Sequence, residues 1–226
     1  MNKPHISVFT PAQTSNKRPA IARFIFAHGA GAGMDSDFMR DVANKLAALQ
    51  IEVLRFNFPY MQVMSESGKR RPPTRMPTLL DAYLAIVEQH KTDLPLFIGG
   101  KSMGGRAATM LATQKETQGK VDGVIALGYP FHPSGKPEKL RVDHLPDMLA
   151  PCLIVQGERD ALGNRAEIVG YDIPDSIQLE YLTDGDHSFK PRKVSGTTMI
   201  ENIDMAVQHI HTFIKRIVHT QSKSKL

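Results

Sequence analysis

The chain has 226 residues, 41% of them hydrophobic, and a formal net charge of +5 at pH 7. No apolar run approaches the ~18 residues that a membrane span requires, so we expect no membrane association. A single cysteine, Cys152, excludes an intrachain disulfide, and the N-terminal Met1–His5 lacks the apolar core of a secretion signal. These features predict a cytoplasmic protein with one α/β domain.

The positive charge is concentrated in Lys69–Arg71 and in the C-terminal segment. Nucleic-acid binding would require a basic face with interleaved aromatic side chains, and the sequence contains neither that nor a known motif. We therefore expect no nucleic-acid partner, and nothing in the sequence indicates a protein partner. The polar residues 219–226 predict a flexible tail after a core of about residues 20–218.

The first elements are two strands and a glycine-rich loop. Residues 5–10 alternate polar and apolar, which is typical of an edge strand. Residues 20–27 form an apolar run with one charge, as expected for a buried parallel strand. This run ends in His28-Gly29-Ala30-Gly31-Ala32-Gly33.

This loop has two interpretations. A phosphate-binding loop would require Gly-x-Gly-x-x-Gly, but Met34 stands where the last glycine is needed. The oxyanion loop of a serine hydrolase requires only backbone amides that come close to a substrate. The pattern favours the oxyanion loop, and we predict that His28 is a structural hydrogen-bonding residue rather than a catalytic one.

The next segment predicts a helix, a strand and a long loop. Asp35 or Ser36 can cap a helix with apolar side chains at helical spacing, and residues 52–58 follow as a strand. Residues 60–77 predict an irregular loop whose basic group could face an anionic substrate or simply be solvated. A helix beginning at Pro77 or Thr78 comes after it.

The most informative motif is Gly100-x-Ser102-x-Gly104, which lies between the apolar run Leu96–Ile98 and the helix-forming run Arg106–Ala112. A strand, a sharp turn and a helix with serine at the turn form a nucleophile elbow. The alternative is an ordinary strand-to-helix turn with a serine N-cap. The glycines favour the elbow, because the two backbones pass close together there.

The remaining elements complete an alternating pattern. Residues 121–127, 152–156 and 177–182 predict strands, and a strongly periodic helix extends from about Ile200 to Ile217. Residues 131–150 are too short and too rich in proline for a helical lid. The alternation predicts a mostly parallel sheet with helices on both faces.

An activated serine needs a histidine to accept its proton and a carboxylate to orient that histidine. Asp160 follows the strand 152–156 on a short turn, and His187 follows the strand 177–182. The order Ser102, Asp160, His187 is the one expected for this architecture. Glu158 is the alternative acid, and we favour Asp160 because of its place in the turn.

No metal site is predicted, since His209, His211 and His219 do not converge with a carboxylate. No cofactor is predicted either. Lys101 and Arg106 lie close to Ser102 in the sequence, and either could bind an acidic substrate. For Arg106 we favour a salt bridge on the helix surface.

These segments together resemble the α/β-hydrolase fold, over residues 20–215. The resemblance is greatest to small lidless bacterial hydrolases related to dienelactone hydrolase. Among these hydrolases, the sequence most resembles the subgroup that contains the hydrolase-like domains of human testis-expressed and NSL-complex subunit proteins. The segments that carry it are His28–Gly31, Arg55–Tyr60, Gly99–Arg106, Gly128–Pro133, Gln156–Asp160 and Gly185–His187.

The resemblance implies a three-layer α/β/α sandwich without a large lid and a triad of Ser102, Asp160 and His187. It also implies oxyanion amides from Ala30 and Met103. It does not imply dienelactone hydrolysis, because those enzymes use cysteine where this chain has Ser102.

We therefore expect a serine hydrolase for a small ester, thioester or related acyl compound. Its shallow pocket would be formed by Tyr60, Met61, Phe131 and the 60–77 loop. A non-catalytic hydrolase-fold binding or scaffold protein is the alternative. A nucleotide-binding α/β protein is disfavoured by the incomplete glycine pattern.

Overall fold

The computed structural model describes residues 6–14 and 19–224. Within these residues seven strands form one sheet in the order β1-β3-β2-β4-β5-β6-β7. Strand β1 is antiparallel to β3, and all other neighbours are parallel. The strands are Ser7–Thr10 (β1), Ala22–Ala27 (β2), Ile51–Phe56 (β3), Leu96–Lys101 (β4), Gly123–Leu127 (β5), Cys152–Gly157 (β6) and Ile177–Leu182 (β7).

Helices cover both faces of this sheet. They span Asp37–Ala48 (α1), Pro59–Ser67 (α2), Met76–Gln89 (α3), Met103–Leu111 (α4), Arg165–Ile168 (α5) and Met199–Ser224 (α6). The apolar faces of α1 and α6 pack on one side of the sheet, and those of α3 and α4 pack on the other. The predicted three-layer sandwich with a mostly parallel sheet is therefore confirmed.

The central strands are apolar on both faces because helices cover both sides, as parallel sheets require. Strand β5 is buried along its whole length, and so is β6. Strand β7 is buried only at its ends, in keeping with its place at the edge of the sheet. The register pairs Ala27 with Gly100 and Gly100 with Ala126, so the carboxyl ends of β2, β4 and β5 lie side by side.

The predicted irregular loop over residues 60–77 is wrong in its first half, where α2 forms. Pro59 occupies the first turn of α2, a position where its missing N–H costs nothing. Gly68 ends the helix in the left-handed conformation, with φ of 67°. Only residues 68–75 separate α2 from α3, and the basic residues 69–75 are exposed.

The C-terminal helix also extends beyond its predicted end, since α6 continues to Ser224 rather than stopping near Val218. His5, the first residue of the predicted edge strand, and Lys225 and Leu226 lie outside the described residues. In residues 128–151 the only helical segment is a 3-10 turn at Leu145–Asp147, so no large lid covers the sheet there. No helix within residues 6–14 and 19–224 has the length and apolar character needed to cross a bilayer.

Candidate active site

Ser102 lies at a sharp turn between β4 and α4. Its backbone has φ of 51° and ψ of −115°, a conformation that L-residues rarely adopt. The turn is tight because a Cβ on Gly100 would lie 2.5 Å from the backbone of Gly104. A Cβ on Gly104 would lie 2.5 Å from the Ala27 carbonyl oxygen. The strained serine and its glycine neighbours form the predicted elbow, which projects Ser102 beyond the sheet.

Three side chains from three different loops form a hydrogen-bonded chain at this point. His187 Nε2 lies 2.9 Å from Ser102 Oγ, and His187 Nδ1 lies 2.8 Å from Asp160 Oδ2. Asp160 is fully buried, whereas 31% of the His187 side chain is exposed. The structure thus brings together the three residues whose side chains the sequence analysis selected.

The Asp160 carboxylate is held by more than His187. Gln156 Nε2 donates to Oδ2 at 3.0 Å, and the Leu162 amide donates to Oδ1 at 2.8 Å. These donors compensate the burial of a charge that would otherwise be costly. Sequence reasoning missed Gln156, although a lone polar residue at the end of the apolar strand β6 is a usable signal.

The alternative acid, Glu158, has a different role. Its carboxylate accepts hydrogen bonds from Arg165 Nη1 at 2.8 Å and from the Asp184 amide at 2.9 Å. These contacts hold the loop after β7, which carries His187. The hydrogen bonds therefore favour Asp160 as the partner of His187.

The loop after β2 is fixed by two aromatic side chains. His28 Nδ1 lies 2.6 Å from the Gly29 carbonyl oxygen, and its Nε2 accepts a hydrogen bond from the Phe58 amide at 3.0 Å. Burial lowers the pKa of His28 to about 4, which keeps the ring neutral with its proton on Nδ1. The Tyr60 hydroxyl donates to the Ala30 carbonyl at 3.1 Å.

The amides of Ala30 and Met103 are free to bind a ligand. Within the described part of the chain, neither N–H donates a hydrogen bond to another protein group. Met103 is the first residue of α4, where helical amides have no intrahelical acceptor. Both residues line a cleft that also contains Ser102.

Lys101 holds the backbone of His187. Its Nζ donates to the His187 backbone carbonyl and lies over the rings of Phe38 and Phe189, at 5.6 Å and 5.0 Å from their centroids. Burial lowers the pKa of Lys101 to about 8, and the carboxylates of Asp160 and Asp186 act in the opposite direction. Lys101 is therefore a positioning residue for the loop that presents His187.

Two cavities meet at Ser102. One has a volume of about 510 Å³, contains Lys101 and His187 in its wall, and is otherwise lined largely by apolar groups such as Phe38, Met39 and Met199. The other has a volume of about 490 Å³ and is lined by Met103, Arg106 and Arg141 among others. Both are large enough for a small organic molecule.

The structure corrects the predicted pocket wall. Tyr60, Met61 and Phe131 are at most 5% exposed and line neither cavity. Their apolar surfaces pack in the hydrophobic core. A sequence pattern cannot distinguish a core residue from a residue of a pocket wall. Tyr60 still contacts the loop after β2 through its hydroxyl.

The predicted surface salt bridge of Arg106 is also absent from the described residues. Arg106 Nε is buried without a hydrogen-bond partner, and the side chain lines the second cavity. Sequence reasoning missed Arg141, which no local motif marks. Cys152 is buried in the core, and burial raises the pKa of its thiol to about 12, so it is no competing nucleophile.

Among the described residues, no three His, Cys, Asp or Glu side chains cluster closely enough to hold a metal ion. The groups beside Ser102 are the hydrogen-bonded His187 and Asp160 and the amides of Ala30 and Met103. A serine, a histidine and a carboxylate in this geometry support acyl transfer.

The overall structure is similar to several solved structures. Dienelactone hydrolase from Anabaena variabilis is 20% identical, with a TM-score of 0.63 over 89% of this chain and 88% of its own. Est1E from Butyrivibrio proteoclasticus, bound to ferulic acid, is 15% identical, with a TM-score of 0.69 over 95% and 96%. A lidless serine hydrolase from Xanthomonas campestris is 17% identical, with a TM-score of 0.61 over 92% and 94%. At these identities the similarity establishes the fold.

The sequence itself carries the family assignment. A model of the alpha/beta hydrolase domain family matches residues 20–215. This range contains the elbow, both loops that present Asp160 and His187, and the loop after β2. The match extends over most of the chain, and the chain belongs to the alpha/beta hydrolase domain family.

Proposed function

We propose that the protein is a serine hydrolase that cleaves a small ester, thioester or related acyl compound through an acyl-enzyme. The observation that carries this proposal is the hydrogen-bonded chain from Asp160 through His187 to Ser102 at the elbow. The lidless serine hydrolase and Est1E among the structural neighbours add support for the class, since they share this fold.

In the first step His187 Nε2 removes the proton from Ser102 Oγ, which attacks the carbonyl carbon of the substrate. Asp160 accepts the Nδ1 proton in a hydrogen bond, so the ring has its free lone pair on Nε2. The positive charge that forms on the ring is stabilised by the buried carboxylate. Lys101 keeps the backbone of His187 in place during this transfer.

The tetrahedral oxyanion accepts hydrogen bonds from the amides of Met103 and Ala30. Each such donor contributes roughly 3 kcal/mol to transition-state stabilisation. The start of α4 adds a favourable dipole at Met103. His187 then returns the proton to the leaving oxygen or sulfur, the bond from that atom to the carbonyl carbon breaks, and the acyl group remains on Ser102.

Water completes the cycle. His187 removes a proton from a water molecule, which attacks the acyl-enzyme and releases the carboxylic acid. The same amides stabilise the second oxyanion. Because no large lid covers the described site, small acyl compounds can enter directly from solvent.

Labelling with a fluorophosphonate probe tests the proposal. We expect the wild-type protein to react covalently at Ser102 and to hydrolyse 4-nitrophenyl esters or the matching thioesters. Ser102→Ala is expected to abolish both reactions because it removes the nucleophile. Mass spectrometry of the labelled peptide identifies the modified residue.

The matched control is Ser222→Ala on the surface of α6, where the hydroxyl donates to the Val218 carbonyl. This variant should label and hydrolyse like the wild type. A folded wild-type protein that neither labels nor hydrolyses any ester would overturn the proposal and favour a non-catalytic binding protein. Labelling that survives Ser102→Ala would show that the nucleophile is another residue.

A further inference from the structure

The charged side chains that line the cavity with Arg106 and Arg141 are all positive. Its lining includes these two arginines and, of the described residues, no aspartate or glutamate. The two guanidinium groups are close enough to influence each other. Burial lowers the pKa of Arg141, and the charge of Arg106 lowers it further.

Neither arginine has an acidic partner among residues 6–14 and 19–224. Within the described part of the chain, no carboxylate lies within ion-pair distance of either side chain. Arg106 Nε is buried and donates to no acceptor. Asp143 and Asp147 raise the pKa of nearby His144, yet neither forms an ion pair with Arg106 or Arg141.

Two partly buried guanidinium groups without a counter-ion are an unfavourable arrangement, and an anion between them would relieve it. Arginine binds carboxylates through two parallel hydrogen bonds, which suits a cleft of this kind. Thr74, which lies in the exposed loop 69–75, and Met76 line the same cavity. The cavity is therefore built for an anionic group.

The position of His187 decides which part of the substrate carries that group. His187 must protonate the leaving group, and it lines the largely apolar cavity with Phe38 and Met39. Besides His187, the one charged side chain among the described residues that line this cavity is Lys101, which already donates to the His187 carbonyl. The leaving group therefore lies in the apolar cavity. The acyl chain must then extend past Met103 into the cavity with the arginines.

We propose that Arg106 and Arg141 bind a carboxylate at the far end of the acyl chain. The preferred substrates are then half-esters or half-thioesters of dicarboxylic acids with an apolar leaving group. This inference rests on the proposed hydrolase function and names the substrate class of the same site. Arg106 and Arg141 act as binding residues and take no part in the bond changes at Ser102.

The test compares monobenzyl esters of succinic, glutaric and adipic acid with analogues that carry a carboxamide in place of the free acid. Each pair differs in charge and hardly in size. For at least one of the three chain lengths, we expect the wild-type kcat/KM to be roughly tenfold or more higher for the acid than for the amide. A charge-assisted hydrogen bond contributes a factor of about this size.

Arg106→Gln and Arg141→Gln should each lower kcat/KM for the preferred acid by roughly 10- to 100-fold, mainly through KM. Activity on the amide analogue should fall less than activity on the acid, so each variant should lower the acid-to-amide ratio of kcat/KM, because the amide carries no negative charge for the arginines to bind. Arg216→Gln on α6 removes one exposed positive charge far from both cavities and is the matched control. Thermal melting shows whether each variant is folded.

Equal hydrolysis of acid and amide at every chain length would overturn the substrate class while leaving the hydrolase proposal intact. The wild-type ratio decides this even if an arginine variant fails to fold. If the wild type turns over neither ester, the proposed function fails and the subsite is tested by calorimetry on Ser102→Ala. Binding of the monobenzyl acids but not of their amides would support the subsite, and equal or absent binding would overturn it.

Discussion

Asp160 is a fully buried carboxylate bonded to the histidine that contacts the half-buried Ser102. It receives hydrogen bonds from His187, Gln156 and the Leu162 amide, all at 3.0 Å or less. Its two oxygens therefore have fixed directions, and so does the imidazole ring. Asp160 therefore fixes the orientation of the ring, while Lys101 holds the backbone of His187.

We expect Asp160→Asn to lower kcat by roughly three to four orders of magnitude, because the amide disturbs the tautomer of His187. The substitution keeps the size of the side chain, so the melting temperature should change little relative to kcat. Glu158→Gln, which alters a neighbouring carboxylate bonded to Arg165, is expected to keep kcat within about threefold. Similar losses in both variants would contradict the assignment of Asp160.

Lys101 has opposite effects on stability and on positioning. Its half-buried charge lines the cavity at Ser102, yet its Nζ donates to the His187 carbonyl and lies over the rings of Phe38 and Phe189. We expect Lys101→Met to raise the melting temperature at pH 7 while lowering kcat by roughly tenfold. Calorimetry and steady-state kinetics on the same samples measure the two effects.

The pH dependence separates the charge from the packing. With a folded-state pKa of about 8, below its usual 10.5, Lys101 costs most stability below pH 8, where it is charged in both states. As the pH rises from 8 to 10.5 the folded protein loses this proton first, and the cost declines. The stability gain of Lys101→Met should therefore be smaller at pH 10 than at pH 7. An equal gain at both pH values would contradict the lowered pKa of Lys101.

At the scale of elements, the site depends on how closely α4 approaches β2. A Cβ on Gly104 would lie 2.5 Å from the Ala27 carbonyl oxygen and 2.6 Å from that of His28. Both atoms are backbone, so neither can move without shifting the end of β2 and the loop that follows it. The glycine at the start of α4 thus sets the distance between the elbow and the loop that carries the Ala30 amide.

We expect Gly104→Ala to destabilise the protein by about 3 kcal/mol or more, the upper range for overpacking against atoms that cannot yield. Chemical denaturation measures the change in the free energy of unfolding. Gly170→Ala is the control, because its added Cβ would meet only the Glu167 carbonyl oxygen at 3.4 Å. Equal stability of the two variants would show that the elbow can relax.

At the scale of the whole molecule, a buried histidine, His28, and a half-buried one, His144, make stability depend on acid pH. Burial lowers the pKa of His28 to about 4, and burial together with the charge of Arg106 lowers that of His144 to about 4. His28 joins the end of β2 to the residues after β3 through the Phe58 amide. Protonation of His28 would remove this acceptor from the core.

The sign of the effect follows from the lowered pKa. Between pH 6.5 and 4 the unfolded chain binds protons at these histidines and the folded protein does not, so stability falls as the pH falls through this range. For His28 the loss amounts to about 3 kcal/mol. Urea unfolding from pH 7 to pH 4 measures the total, and an NMR titration midpoint of His28 near 6.5 would contradict it.

Much of this architecture is determined by local sequence patterns. The apolar runs that become β2, β4, β5 and β6 and the periodic stripe of α6 follow from burial alone, because helices on both faces demand such patterns. Gly100-x-Ser102-x-Gly104 and the order Asp160, His187 were likewise readable, since a triad needs those residue types at the carboxyl ends of strands. The cytoplasmic location, the single-domain organisation and the narrower subgroup remain predictions from sequence.

The substrate cavities were decided only by the tertiary structure. Tyr60, Met61 and Phe131 have the residue types of a pocket wall, but packing assigns all three to the core. Arg106 and Arg141 are 35 positions apart, and no pattern along the chain predicts that both would line one cleft beside Ser102. The residues at the elbow belong to short motifs that can be recognised in the sequence. The shape of the cavities above it depends on how segments distant in the chain pack together. Such packing produces no periodic pattern in the sequence.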